Sequence, residues 1–150
     1  MVDVPYFAAA FARTEAGWIG VDADLSEIMS LDDVADLMRE TAVEAIGDLV
    51  LMLVEENDTW FAVVRLDGDD EPRLFVSDPE AGRTSKIAAL FAEPLGEQPD
   101  AEPAGDLTLL DDLGTDADRL VELSERALPG DALTIVAEQA GFVDEFDRLR

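Results

Sequence analysis

Cysteine and histidine are absent from this 150-residue chain, and lysine occurs once, at Lys86. Without cysteine there is no disulfide, no thiolate zinc site and no thiol nucleophile. Without histidine the commonest general base and metal ligand is missing, and neither Ser77 nor Ser85 can be completed into a serine triad. No stretch approaches the roughly 18 consecutive apolar residues that a membrane helix needs. The opening Met1-Val2-Asp3-Val4-Pro5 has no basic run ahead of an apolar one, so a secretory signal is not expected either and a cytoplasmic protein is the reading. Positive charge is scarce: ten basic groups stand against 36 carboxylates, for a formal charge of −26.

Such an acid excess usually marks a disordered tail, but disorder also requires few apolar residues. Here 48% of the residues are hydrophobic, enough to build a core beneath the charge. The acids are not confined to one end, since residues 1–92 hold twenty acids and six bases and residues 93–150 hold sixteen and four. A field of this sign repels phosphate backbones and anionic lipid, so direct nucleic-acid and membrane binding are not expected, and it attracts basic protein surfaces. The same charge also suits a structural domain whose acidity serves only solubility or salt tolerance.

Periodicity predicts an α+β fold. Tyr6 to Arg13 and Trp18 to Val21 read as two strands around a turn at Glu15-Ala16-Gly17. Ser30 and Asp33 have the spacing of a capping box, and Leu31, Val34, Leu37, Met38, Ala42 and Ala45 recur on one helical face, with Gly47 as the stop. Leu49 to Val54 is nearly continuously apolar, as a strand buried on both faces is, and Trp60 to Leu66 and Arg73 to Ser77 follow it in a meander. The expected architecture is an antiparallel five-stranded sheet in the order β-β-α-β-β-β, covered by a helix, with a small helical C-terminal element. Its divisions are residues 1–92 for the sheet domain, 93–106 for an acidic linker carrying three prolines and two glycines, and 107–150 for a helical module, either separate or packed on the first. Within that module Thr115 and Asp118 have capping spacing, Pro129-Gly130 breaks the first helix, Asp131 is the expected cap of the second and Gly141 its end. Phe142, Val143, Phe146 and Leu149 make a last apolar face.

Few residues offer chemistry. Paired carboxylates can hydrolyse without histidine, yet nothing in the sequence singles out one pair among so many acids. Asp67-Gly68-Asp69-Asp70-Glu71 has oxygen ligands for a hard cation but not the twelve-residue spacing of a calcium loop, and between two strands it reads as a solvated hairpin turn. A divalent-cation protein or a carboxylate enzyme is the alternative this cluster keeps open. Lys86 lacks a glycine-rich phosphate loop, and Trp18 and Trp60 lack the interleaved basic residues of a single-strand binder, so a core or core-edge role is expected for both tryptophans. The remaining candidate is an acidic interaction surface made by Asp67, Asp69, Asp70, Glu71, Asp111 and Asp112. No catalytic residue, metal or cofactor is expected, and homo-oligomerisation stays open.

Tyr6-Phe7-Ala8-Ala9-Ala10-Phe11-Ala12-Arg13-Thr14-Glu15-Ala16-Gly17-Trp18, Leu51 to Glu56 followed by Trp60 to Arg65, and Arg73 to Asp78 resemble the tRNA adenosine deaminase-associated protein family of actinobacteria. Asp112-Leu113-Gly114-Thr115, Leu128-Pro129-Gly130-Asp131-Ala132-Leu133 and Ala140-Gly141-Phe142 extend the resemblance to the C-terminal part. The resemblance implies an accessory role beside a deaminase, with no catalytic motif of its own. The deaminase chemistry itself needs zinc held by His and Cys and an H-x-E arrangement, which this chain cannot assemble. The expected partner is therefore a basic protein surface, with a tRNA adenosine deaminase the one the resemblance implies.

Overall fold

In the computed structural model the described residues are 6–14, 17–25, 28–42, 49–56, 59–67, 72–83, 85–92 and 104–149. Two apolar faces on the central strands dictate three layers. Along β3 (Leu49–Glu56) and β4 (Trp60–Asp67), apolar side chains fill both alternating sets, so neither face of the sheet can meet water. Ala9, Phe11, Leu51, Leu53, Phe61, Val63 and Phe75 face one way, and Ala8, Ala10, Val50, Met52, Val54, Ala62, Val64 and Val76 the other.

β1 (Tyr6–Thr14) and β2 (Gly17–Asp22) form a hairpin, and β1 pairs antiparallel with β3. β5 (Arg73–Val76) continues the sheet beyond β4. The anticipated β-β-α-β-β-β succession is present, and a two-residue strand, β6 (Ala104–Gly105), is added beside β5, giving the order β2-β1-β3-β4-β5-β6. That addition depends on glycine. Gly105 has φ +107°, and a Cβ there would lie 2.2 Å from the Leu74 carbonyl oxygen, so only a residue without a side chain lets this backbone approach β5 so closely.

The first cover is α1 (Leu31–Ala42) with α2 (Lys86–Ala92). Val34, Ala35 and Met38 are buried and Leu31 and Leu37 half-buried on the expected face of α1. The Ser30 hydroxyl accepts from the Asp33 amide at 3.4 Å while the Asp33 carboxylate accepts from the Met29 amide at 3.0 Å, a reciprocal closure of the helix entrance. Ala45 and Gly47 lie outside the described residues. Ser85 opens α2: its hydroxyl accepts from the Ala88 amide and donates to the buried Glu56 carboxylate at 2.6 Å. The same Glu56 oxygen accepts from Trp60 Nε1 at 3.0 Å, so this buried carboxylate is hydrogen-bonded.

The second cover is α3 (Ala117–Arg126), α4 (Pro129–Ala140) and α5 (Val143–Leu149). Leu120, Leu123, Leu133, Val136, Phe142 and Phe146 share one core with the sheet's Phe11, Leu51, Leu53 and Phe75. Phe142 stacks on Phe11 at 4.6 Å and lies 4.7 Å from Trp18, which places Trp18 at the core edge as expected.

Two of the anticipated caps differ. Asp116, not Thr115, caps α3, accepting from the Arg119 amide at 2.8 Å. Thr115 is pulled inward because its amide donates to the Leu110 carbonyl, leaving its hydroxyl buried without a partner among the described residues. α4 starts at Pro129 after Leu128, two residues ahead of Asp131; proline has no amide to leave unsatisfied and its φ is already helical. α3 has already stopped at Arg126, with Ala127 extended, so Pro129-Gly130 opens the second helix and lies beyond the end of the first. Gly141 terminates α4 at φ +98°, donating to the Ala137 carbonyl, as its position implies.

Candidate functional site

A two-residue period on β4 puts Phe61, Val63, Arg65 and Asp67 on the face covered by α3 to α5. Arg65 therefore carries a charge into a hydrophobic layer, and it is 8% exposed. Burying a guanidinium without partners would cost several kcal/mol, and every one of its N–H groups finds an acceptor. Nε and Nη2 donate to the two oxygens of Asp67 at 2.9 and 3.2 Å. Nη1 and Nη2 donate to the two oxygens of Asp112 at 2.6 and 2.9 Å. The second Nη1 hydrogen goes to the Leu109 carbonyl at 2.9 Å. Five donors thus meet five acceptors, with both carboxylates held bidentate.

Arg73, directly opposite Arg65 in the β4–β5 register, extends the network. It donates to Asp67 at 3.0 Å and to Asp106 at 3.2 Å, and Asp106 also accepts from the amide and hydroxyl of Thr108. A short 3₁₀ turn, Asp111–Leu113, presents Asp112 to Arg65 and ends at Gly114, whose φ of +97° turns the chain toward α3. Arg65, Arg73, Thr108, Asp111 and Asp112 line a shallow, open depression of about 360 Å³ above this network.

The electrostatics follow from the bonds. The hydrogen bond that Arg65 donates to Asp112 raises the Arg65 pKa above its usual value, against the opposing effect of burial and with further help from Asp67. Arg65 in turn holds the Asp112 carboxyl below the ordinary carboxylate range. Burial works against ionised Asp67, but hydrogen bonds and charge from Arg65 and Arg73 outweigh it and lower its pKa. The Thr108 hydroxyl, then Arg73, does the same for Asp106. All four groups stay charged near neutral pH, so none is poised to exchange a proton as a general acid or base.

Of the six acids expected to make an interaction surface, Asp67 and Asp112 are drawn together on Arg65, and exposed Asp111 sits at the rim of the depression. Asp69, Asp70 and Glu71 lie outside the described residues. Arg65, Arg73 and Asp106 were not singled out by motif. The signal for Arg65 was present: a charge on the core-facing period of the apolar run Trp60 to Leu66 demands buried counter-charge. Among the described residues, no group of three or more Asp, Glu, His or Cys side chains is placed to hold a metal ion, and the Asp67 oxygens face guanidinium groups.

The other electrostatic feature is the outer surface of the C-terminal part. Residues 104–149 carry twelve carboxylates against three arginines, a balance of −9. Ten of the twelve are exposed, including Asp116, Asp118, Glu122, Glu125, Asp131 and Glu138. Arg119 is paired within α3 to Glu122. No helix among the described residues is long and apolar enough to cross a membrane.

A family model described as Rv3753c-like tRNA adenosine deaminase-associated protein matches residues 6–143. No curated protein and no solved structure gives a significant match to the chain.

Proposed function

This chain belongs to the Rv3753c-like tRNA adenosine deaminase-associated protein family, and on that premise we propose that it is a non-enzymatic, cytoplasmic accessory protein whose acidic surface docks on a basic protein. The proposed partner is a tRNA adenosine deaminase. The observation that carries the reading is the −9 balance of residues 104–149, displayed outward on helices whose inner faces are anchored in the sheet. A rigid array of one sign steers association toward a surface of the other sign and fixes orientation on contact. An enzyme that binds RNA must present such a basic surface to phosphates, and an acidic protein competes for that surface or shields it until RNA arrives.

Further support comes from what Arg65 does with its neighbours. The ion pairs tie the 3₁₀ turn before α3 to β4, which holds the acidic helices in one position on the sheet. An array held in place loses less orientational freedom on binding than a mobile one.

The test is co-elution of the purified chain with purified tRNA adenosine deaminase in size-exclusion chromatography at about 50 mM and about 500 mM salt, which span a Debye length from beyond 10 Å to below 5 Å. A complex at low salt that weakens at high salt is expected, and Glu125→Lys with Glu138→Lys on the exposed helical surface weakens it further. No complex at low salt with the free enzyme, or one indifferent to both salt and charge reversal, overturns the reading.

A further inference from the structure

β2 stands at one end of the sheet, with β1 on its inner side and no described residue paired along its outer side. The Ala23 amide donates to the Ala8 carbonyl at 2.9 Å. The two-residue period of an antiparallel ladder therefore turns the backbone of Ile19 and Val21 inward and the amides and carbonyls of Trp18, Gly20 and Asp22 outward. An open row of this kind is a template for another strand.

Side chains along the edge set what such a strand must carry. Ile19 packs toward the α1 side and Val21 beside it is 47% exposed, leaving apolar surface for β-branched residues on that face. On the opposite face Asp22 is exposed, α5, which packs on β2, carries Asp144, Glu145 and Asp147 with one arginine, Arg148, and the Arg13 guanidinium of β1 lies over the Trp18 ring at 5.5 Å, leaving the acids in excess. A Cβ at Gly20 would meet the Phe11 ring at 2.8 Å and Leu149 at 3.0 Å, so α5 presses directly on the middle of the strand and holds the edge in place. A second copy of this chain is a poor occupant: each carries −26, and antiparallel pairing would bring two acidic edges together.

We propose that the outer edge of β2 accepts an extended basic segment of a partner protein as an added strand, with β-branched residues toward Val21 and lysine or arginine toward Asp22 and α5. The inference rests on the accessory reading above and adds where contact is made. Main-chain hydrogen bonds supply the binding and alternate side chains the selectivity, as in other strand additions.

The test uses the full chain and two synthetic peptides that alternate valine with lysine or arginine, identical except that one is N-methylated on the amides that would bond β2. Titration is followed by calorimetry, with hydrogen exchange read at the amides of Trp18, Gly20 and Asp22. Asp22→Pro removes one outward amide and one charge; Asp22→Asn removes the charge alone. Binding of the unmethylated peptide about tenfold or more tighter than the methylated one, with protection of those three amides and greater loss in Asp22→Pro than in Asp22→Asn, is expected. Equal binding of both peptides shows charge attraction only and overturns the strand addition. Absence of binding by both overturns it too, while co-elution with the deaminase decides the accessory reading independently. Should Asp22→Pro fail to fold, the methylated pair on the native chain and Asp22→Asn still decides. Protection of the β2 edge in a dimer without peptide makes a second copy the occupant and likewise overturns the proposal.

Discussion

Replacing Arg65 with methionine removes the guanidinium while keeping an unbranched chain of similar length in the core, and the structure sets the size of the effect. Three acceptor groups lose their donor, and they do not lose equally. The Leu109 carbonyl belongs to a fully buried residue, and an orphaned buried acceptor costs about 1 to 3 kcal/mol. Asp67 has a 31% exposed side chain and keeps Arg73. Asp112 has a 61% exposed side chain, so water takes over most of its solvation and its share is that of a screened surface pair, below about 1 kcal/mol. The expected total is about 3 kcal/mol for Arg65→Met, a large part of the roughly 5 to 15 kcal/mol that holds a domain folded. Asp67→Asn follows at about 1 to 2 kcal/mol and Asp112→Asn at about 1 kcal/mol or less. Equilibrium urea unfolding of the three variants and of the Arg65→Met/Asp112→Asn double variant measures the order and the coupling, and the Arg65→Met loss also appears as a Tm lowered by about 6 to 12 °C. The pH dependence has a definite sign. Asp67 and Asp112 have folded pKa values below the ordinary 3.8, so their contribution is complete above that value and is lost as pH falls through the folded values. The gap between native protein and Arg65→Met therefore narrows below pH about 4. An Arg65→Met variant within about 0.5 kcal/mol of native, or an Asp112→Asn cost equal to it, would refute the assignment of the burial penalty to Leu109 and Asp67.

Gly105→Ala drives a Cβ to 2.2 Å from the Leu74 carbonyl at a φ of +107°; a cost of about 1 to 3 kcal/mol is expected, with faster hydrogen exchange at the Asp106 amide, which donates to Leu74. Unchanged exchange there would mean β6 pairs by some other contact. Phe142→Ala empties the contact that the residue just before α5 makes with Phe11 and Trp18; about 3 to 5 kcal/mol is lost, and Trp18 emission shifts to the red as water reaches the ring. Ser85→Ala removes both the start of α2 and a donor to buried Glu56, costing about 2 kcal/mol in urea unfolding, whereas Ser85→Thr restores most of it. A Ser85→Thr variant as unstable as Ser85→Ala would show that the hydroxyl is not what matters there.

Much of this architecture was readable in the residues. The apolar runs at Leu49 to Val54 and Trp60 to Leu66 call for a sheet covered on both sides, because their alternating sets are both hydrophobic. The entrance of α1 and the stop at Gly141 follow from local hydrogen bonds that the neighbouring residues alone determine. The caps of α3 and α4 were misread for the same kind of reason in reverse: Thr115 lost its local role to the Leu110 carbonyl and the core, and Pro129 set the helix start ahead of Asp131. The candidate site was legible only in part. Asp67 and Asp112 stood out as acids in acidic company, but their meeting on one guanidinium across forty-seven residues of sequence for Arg65 and Asp112 has no local signature.

The sequence by itself determined the exclusions and the charge. A chain without cysteine or histidine cannot host thiolate zinc or imidazole chemistry however it folds, and −26 is a property of composition. Alternation and helical period determined the strands and the inward faces, because both periods are set by backbone geometry. The tertiary structure alone decided where the charge goes: which acids are bound to Arg65 and Arg73, which face outward from α3 to α5, and which strand is left at the sheet edge. Those are pairings between segments distant in the chain, and their energies depend on burial and on distances that exist only once the three layers have closed.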